Sequence, residues 1–191
     1  MSKSLDEMTD EQRSRLFPII LSEHQLRWQE NFRKEKTVLE QAVGIENIVR
    51  TNHIGSTAVP DLIAKPTIDI LIEIKNDTDI KKLIENMQSV GYRYIAQPTT
   101  PVKHLYFIKG YTPQGFKGQV FHVHIDYRGD WDELYFRDYL LMHPEIADEY
   151  GRLKLALQKK YGYDRDGYTN AKTDFIKRVV KLARAEISTK R

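Results

Sequence analysis

The stretch that most constrains the fold is an apolar run that carries two carboxylates. It extends from Thr67 to Ile74 and consists of Thr-Ile-Asp-Ile-Leu-Ile-Glu-Ile. Such a run predicts a buried strand, on which alternate side chains share a face, so Asp69 and Glu73 point the same way. A carboxylate in a core is costly unless it is paired, hydrogen-bonded or bound to a cation. We therefore expect this strand to meet positive charge.

Length and composition bound the architecture. The 191 residues suffice for a proper core, and we predict a single domain over 1–191, with an α/β part over about 17–130 and a helical part over about 131–191. No run approaches the roughly 20 apolar residues of a membrane span, and the N-terminus lacks the apolar region of a signal peptide. The absence of cysteine excludes disulfides and thiolate metal sites. We expect a cytoplasmic protein without a membrane partner.

The net charge of +3 hides an asymmetry along the chain. From Gly151 to Arg191 there are twelve Lys or Arg against four Asp or Glu, so the first 150 residues carry a negative balance. Such a segment faces an anionic substrate, a nucleic acid, the acidic body of its own protein, or only solvent. No arginine-rich run is interleaved with aromatics, which argues against a dedicated nucleic-acid binder.

The pattern of apolar residues predicts a mixed sheet with flanking helices. At the N-terminus we expect a short helix or loose arm, then an edge strand over Phe17 to Leu21, then a helix that Ser22 caps and Gly44 ends. Further strands are predicted within 45–54 and at 67–74, 92–95, 103–110 and 120–127, and further helices at 77–90, 132–143, 144–161 and 169–188. This order implies an α/β (α+β) fold with a helical C-terminal third.

Several motifs of the chain resemble those of one known family. They comprise His-Ile-Gly-Ser-Thr-Ala-Val-Pro at 53–60, Ala-Lys-Pro at 64–66, Gly-Tyr at 91–92, His-Val-His at 122–124, Phe-Arg-Asp-Tyr-Leu at 136–140, His-Pro-Glu at 143–145, and Tyr168-Thr169 with Lys172. Together they resemble the GrpB family from about Pro18 to about Ala183. This resemblance implies a nucleotidyltransferase-like fold, although most members have no assigned reaction.

The resemblance also implies a phosphate-binding turn beside a catalytic, metal-binding carboxylate. Gly55 and Ser56 match the turn that holds the triphosphate in nucleotidyltransferases, and Asp69 matches a strand carboxylate that holds magnesium. Active members present two carboxylates two residues apart, whereas this chain has Leu71 at the second position. Glu73 lies about 13 Å from Asp69 along a strand, too far to share one ion. This departure counts against nucleotidyl transfer.

Two histidines form a second candidate cluster. His122 and His124 share one face of a predicted strand with Asp126. With Asp69 from a neighbouring strand they make a set of two His and one carboxylate, which suits Zn, Mn, Fe or Ni better than Mg. The alternative is that the histidines are hydrogen-bonded groups that orient Asp69. We expect a divalent metal, either Mg or Mn or a His-ligated transition metal such as Zn.

Other candidate nucleotide contacts come from outside the strand. Lys65 is a candidate phosphate ligand, or else an ordinary loop lysine. Tyr168 could stack on a base and Lys172 could reach a phosphate, whereas Arg137 could equally form a structural ion pair with Asp138. Thr57 completes the nucleotide-binding set, but neither it nor Ser56 has a base nearby in sequence that would make it a nucleophile.

Three functions fit these residues. The first is a metal-dependent protein of the nucleotidyltransferase fold that binds a nucleotide or another phosphorylated small molecule and transfers a nucleotidyl group. The second is a non-catalytic nucleotide- or coenzyme-binding module, since some members resemble a domain fused to dephospho-coenzyme A kinase. The third is a hydrolase that activates water on a His-His-Asp metal site. The sequence leaves the oligomeric state open.

Overall fold

The structure is a computed structural model that describes residues 4–96 and 104–189. The helices are α1 (Asp10–Leu16), α2 (Arg27–Val43), α3 (Ile80–Ser89), α4 (Asp132–Met142), α5 (Pro144–Tyr161), α6 (Arg165–Asn170) and α7 (Thr173–Thr189). The strands are β1 (Ile48–Ile54), β2 (Thr67–Ile74), β3 (Arg93–Ile95), β4 (Leu105–Thr112) and β5 (Gly115–Tyr127). None of the described helices is long and apolar enough to cross a membrane.

One mixed sheet organises the described chain, in the strand order β1-β2-β5-β4-β3. The β2–β5 pair is parallel and the other pairs are antiparallel. Because parallel neighbours need a crossover connection, α3, β3 and β4 lie between them in sequence. The register places Asp69 opposite His122 and Leu71 opposite His124, so residues distant in sequence become neighbours on one face.

The two faces of the sheet have different partners. Ile68, Ile70 and Ile72 of β2 belong to the core with α2 and α3, where Trp28 and Met87 are fully buried. The alternating side chains, Asp69 included, point to the opposite face. A second apolar cluster joins the helices of the C-terminal third to the turn after β1. The predicted mixed sheet with flanking helices is confirmed, and the site lies on the face away from the main core.

The N-terminal predictions need correction. Phe17 to Leu21 forms no strand in the described chain, because Ser22 pairs its backbone in an isolated bridge with Ala64 and Ile19 donates to the Gly162 carbonyl. Ser22 is therefore not the cap of α2, which begins at Arg27.

Two further boundaries differ from the prediction. The helix predicted over 169–188 is split into α6 and α7, and Asp164 caps α6 with its side chain. The start of the strand predicted from Lys103 lies outside the described residues.

Candidate functional site

The Gly-Ser turn lies directly beside the strand carboxylate. The antiparallel β1–β2 pair sets Ile54 opposite Asp69, so the next residue, Gly55, passes over that side chain. Gly55 has φ +70°, and an added Cβ would lie 3.0 Å from both Cβ and Cγ of Asp69 and closer still to Oδ2. Only glycine satisfies both the left-handed conformation and the close approach. The turn and the carboxylate are thus one structural unit.

Thr57 holds this turn from behind. Its buried hydroxyl donates to the Thr67 carbonyl at 3.0 Å, and its oxygen lies 3.0 Å from His53 Nε2. Burial lowers the pKa of His53 to about 4, so its ring is neutral at pH 7. The side chain of Thr57 thus joins β1 to β2, and the nucleotide contact of Thr57 stays a prediction.

A cleft of about 560 Å³ opens between the sheet and the C-terminal helices, within the size range of small-molecule sites. Eight of the ten predicted site residues line it. They are Gly55, Ser56, Lys65, Asp69, His122, His124, Tyr168 and Lys172.

Arg137 lies outside this cleft. It projects from α4, donates through Nη1 to the His53 carbonyl at 2.9 Å and pairs with Asp138 at 2.7 Å. It lines a separate cavity, which Arg50 and Asn52 of β1 also line. Arg137 thus stabilises the end of the strand that leads into the Gly-Ser turn, and its contact with a nucleotide stays a prediction.

Asp69 is held as an ionised group. Its Oδ1 lies 3.2 Å from His122 Nδ1, and its side chain is 29% exposed. Burial by itself raises the pKa of Asp69, but the hydrogen bond from His122 and the electrostatic interactions with His122, His124 and Lys65 together outweigh it, so the pKa is lowered. The carboxylate can therefore act as an oxygen ligand at neutral pH.

The two histidines are already engaged with protein groups. His122 Nε2 lies 2.8 Å from the Tyr111 hydroxyl while Nδ1 faces Asp69. His124 Nδ1 lies 3.3 Å from His104 Nε2, and His104 Nδ1 lies 2.7 Å from Asp126. The ring nitrogens of His122 thus serve to orient Asp69 and Tyr111.

These contacts decide which metal the residues fit. Within residues 4–96 and 104–189, no group of three or more His, Asp and Glu is arranged to hold an ion. A set made of His122, His124 and Asp69 is therefore not preformed. Asp69 alone offers hard oxygen, which fits Mg²⁺, because that ion is commonly held by one or two carboxylates together with substrate phosphates. The residues fit magnesium with a phosphate better than a His-ligated metal.

A buried lysine completes the turn. Lys154 of α5 is 2% exposed, and its Nζ donates to Ser56 Oγ at 3.0 Å and to the Ile63 carbonyl. Burial, with smaller contributions from Lys172 and Lys65, lowers its pKa to about 7. Lys154 thus supplies the basic group that the sequence around Ser56 lacks.

Lys65 and Lys172 flank the buried ring of Tyr168. Their Nζ atoms lie 5.5 and 4.6 Å from its centroid. Burial is also the main cause that lowers the pKa of Lys65, to about 8, with Lys172 and Arg165 contributing. In the described part of the chain, neither of these lysines nor Lys154 forms a salt bridge with a carboxylate. Three neighbouring lysines that form no salt bridge among the described residues therefore line the cleft.

Sequence reasoning missed Lys154 and Arg165. Lys154 follows Ala147 and Tyr150 at helical spacing, and this pattern placed it on the buried face of α5. Arg165 carries no comparable signal. It reaches the cleft because Nη1 donates to the Phe17 carbonyl at 3.2 Å and Nη2 to the Tyr111 hydroxyl at 3.2 Å.

Part of the C-terminal basic excess is neutralised by the protein itself. Arg178 pairs with Glu149 at 2.6 Å, and Arg184 pairs with Asp130 at 2.6 Å and with Asp132 at 2.7 Å. One of these acidic partners, Asp132, also lines the cleft. In the basic segment, Arg178 and Arg184 thus pair with acidic neighbours, whereas Lys154 and Lys172 line the cleft.

Fold and cleft together define a class: a mixed-sheet α/β protein whose C-terminal helices close a cleft, lined by both lysines and carboxylates, over a Gly-Ser turn and one strand carboxylate. The model of the family described as GrpB protein matches residues 18–182, and the chain belongs to that family.

Known relatives support the assignment. The chain is 33% identical to the glutamate-rich protein GrpB of Alkalihalophilus pseudofirmus, over 85% of this chain and 94% of that protein. It is 35% identical to a UPF0157 protein of Pseudomonas aeruginosa, over 83% of this chain but 64% of the relative. The crystal structure of conserved protein GrpB from Enterococcus faecalis matches with a TM-score of 0.76 at 34% identity, over 88% of this chain and 99% of that one.

Proposed function

We propose that the cleft binds a nucleotide or another phosphorylated small molecule together with one magnesium ion on Asp69. The observation that carries this proposal is the group formed by Lys65, Lys154 and Lys172, which has no salt-bridged carboxylate among the described residues. Charged groups removed from water are normally paired. A polyphosphate supplies the negative charge that these lysines favour.

Different residues of the cleft have different roles in binding such a ligand. Lys65 and Lys172 act as point charges on phosphate oxygens, and Tyr168 helps to position both because each ammonium group lies over its ring. Lys154 holds Ser56 in place through the 3.0 Å hydrogen bond. A magnesium ion, when bound, would neutralise charge on the phosphate oxygens. Since the faces of Tyr168 meet two ammonium groups, we assign it to positioning rather than to base stacking.

Asp69 is the only strand carboxylate among the described residues that line the cleft, which favours binding over two-metal transfer. Two-metal chemistry places ions about 3.5–4 Å apart, and needs a second ligand near Asp69. Leu71 is buried at that position, and the neighbouring strand offers His122 and His124. A hydrolase based on both histidines would need ring nitrogens that His122 already uses. Binding, as in a sensor or accessory module, is the function that this geometry supports best.

Thermal unfolding with nucleoside triphosphates and Mg, Mn or Zn tests the proposal. A ligand at 100 times its Kd stabilises by about 2.7 kcal/mol, which raises Tm by roughly 5–11 °C for a chain of this size. We expect a shift that needs both nucleotide and magnesium in the wild type. Asp69→Asn should abolish the magnesium dependence, whereas Asp148→Asn, on an exposed position of α5, should not.

The outcomes separate the alternatives. If no nucleoside triphosphate shifts Tm with any of the three metals, the proposal is refuted. A shift with Zn alone that Asp69→Asn removes would favour the hydrolase. If the nucleotide binds, mass spectrometry of the mixture after incubation distinguishes unchanged nucleotide, as we expect, from transfer products.

A further inference from the structure

A second cavity adjoins the cleft. Its volume is about 410 Å³, and three residues, Lys65, Thr67 and Arg165, line both cavities. The two spaces are therefore separated by the side chains of one lysine, one threonine and one arginine. Volumes of about 300–1,000 Å³ are typical of small-molecule sites, so the second cavity is large enough for a ligand of its own.

The walls of the second cavity combine apolar surface with positive charge. Ile20 is 49% exposed and Phe116 is 39% exposed, although both are large and apolar. Arg27 adds a third cation to Lys65 and Arg165. None of the described residues that line this cavity is Asp or Glu. The surface is thus complementary to an anion with an apolar body.

The polar groups at the floor of this cavity are already satisfied. Asn31 donates to Gln119 Oε1 at 3.0 Å, and Gln119 Nε2 donates to the Pro66 carbonyl at 2.8 Å. They therefore contribute little to the binding of a polar ligand. The groups of the cavity that remain available to recognise a ligand are the apolar side chains and the three cations.

We propose that this cavity binds a second small molecule: an organic anion with an apolar or aromatic body and a single acidic group, which meets Lys65 and Arg165 from the side opposite the nucleotide. This inference rests on the proposed function for the identity of the first ligand. The shared cations reduce the repulsion between the two anions and bring the acidic group beside the phosphates. The cleft then has two compartments, one for each ligand.

Two fluorescent probes test the inference. 1-Anilinonaphthalene-8-sulfonate has an aromatic body with one acidic group, and N-phenyl-1-naphthylamine has the same body without it. Titration of the wild-type protein should show saturable binding of the sulfonate. Arg27→Gln should weaken binding of the sulfonate by about two- to fivefold and leave the affinity for the neutral probe unchanged. Arg33→Gln, at another exposed position of the same helix, is the matched control.

A second pair of variants places a negative charge in the cavity. Ile20→Glu should weaken binding of the sulfonate by at least about tenfold, because like charges in contact cost several kcal/mol. Ile45→Glu changes another exposed isoleucine, 73% exposed, and should leave both probes unaffected. Both variants alter exposed side chains, and circular dichroism spectra that match the wild type will show that the fold is kept.

The results separate this inference from the proposed function. No saturable binding, or equal weakening by the control variants, overturns the second site. If magnesium-nucleotide displaces the sulfonate and Ile20→Glu weakens the nucleotide equally, the cavity holds part of the nucleotide, and the second-ligand inference is overturned while the proposed function stands. If nucleotides give no thermal shift but the sulfonate responds as expected, the proposed function fails and the anion site stands alone.

Discussion

Replacement of Gly55 by alanine tests whether the turn and Asp69 form one unit. Gly55 has φ +70° and ψ −176°, a region in which a non-glycine residue costs about 1–3 kcal/mol, partly offset by about 0.4–1 kcal/mol of entropy lost from the unfolded chain. The added Cβ also meets the Asp69 side chain at 3.0 Å or less, and overpacking of this kind typically costs about 1–3 kcal/mol. We expect Gly55→Ala to destabilise by about 3 kcal/mol in total.

Gly118→Ala is the matched control. Gly118 has φ +67°, close to that of Gly55, but an added Cβ meets nothing within 4 Å. It should therefore show the conformational cost without the collision, about 1 kcal/mol. Differential scanning calorimetry at about 2–4 °C per kcal/mol should give a Tm loss near 9 °C for Gly55→Ala and near 3 °C for Gly118→Ala.

A double-mutant cycle identifies the source of the difference. Asp69→Ala removes the carboxylate, so Gly55→Ala should cost about 1 kcal/mol less in that background. Equal Tm losses for the two glycine variants, or costs that simply add in the cycle, would refute the reasoning that Gly55 is needed for its approach to Asp69.

Two buried charges give further predictions. Lys154→Met should flatten the pH dependence of the free energy of unfolding. Folding lowers the pKa of Lys154 from 10.5 to about 7, so between these two pH values the unfolded chain binds a proton that the folded chain has released. The free energy of unfolding of the wild type therefore rises with pH, relative to that of the variant, by up to about 1.4 kcal/mol per pH unit. A constant difference in urea unfolding from pH 7 to 10 would contradict this. Glu73→Gln should lower Tm by about 5–10 °C. The fully buried Glu73 accepts hydrogen bonds from Gly129 N and Trp131 Nε1 and pairs with Arg50. A Tm loss no greater than that of Glu85→Gln, on the exposed side of α3, would contradict this prediction.

Elements with strong local signals could be predicted from the sequence. The bounds of β2 match the prediction at Thr67 and Ile74 because a nearly continuous apolar, β-branched run marks this strand, which is buried along almost its whole length. Gly44 ends α2 with φ +87°, as its position predicts. Phe17 to Leu21 was predicted as a strand because it is apolar, but tertiary pairing of Ser22 with Ala64 decides its conformation.

Site residues were harder to predict because a motif does not show which face each residue takes. Ser56 and Thr57 are adjacent, yet Ser56 lines the cleft and Thr57 bonds to Thr67 behind it. The contact between Ser56 and Lys154 joins residues of two different halves of the chain. Such a pair follows from helix docking rather than from local propensity, and no pattern near Ser56 contains it.

The position of the cleft between sheet and helices makes ligand binding and helix docking one equilibrium. Lys65 belongs to the sheet half, while Lys154 and Lys172 belong to the helical third. Burial is the main cause that lowers the pKa of Lys154, and the charges of Lys172 and Lys65 lower it further, so Lys65 and Lys154 repel each other across the boundary. An anion bound between them turns this repulsion into attraction. Ligand concentration would then set how often the helical third opens, and amide hydrogen exchange in α5 and α7 would slow along with exchange in the strands.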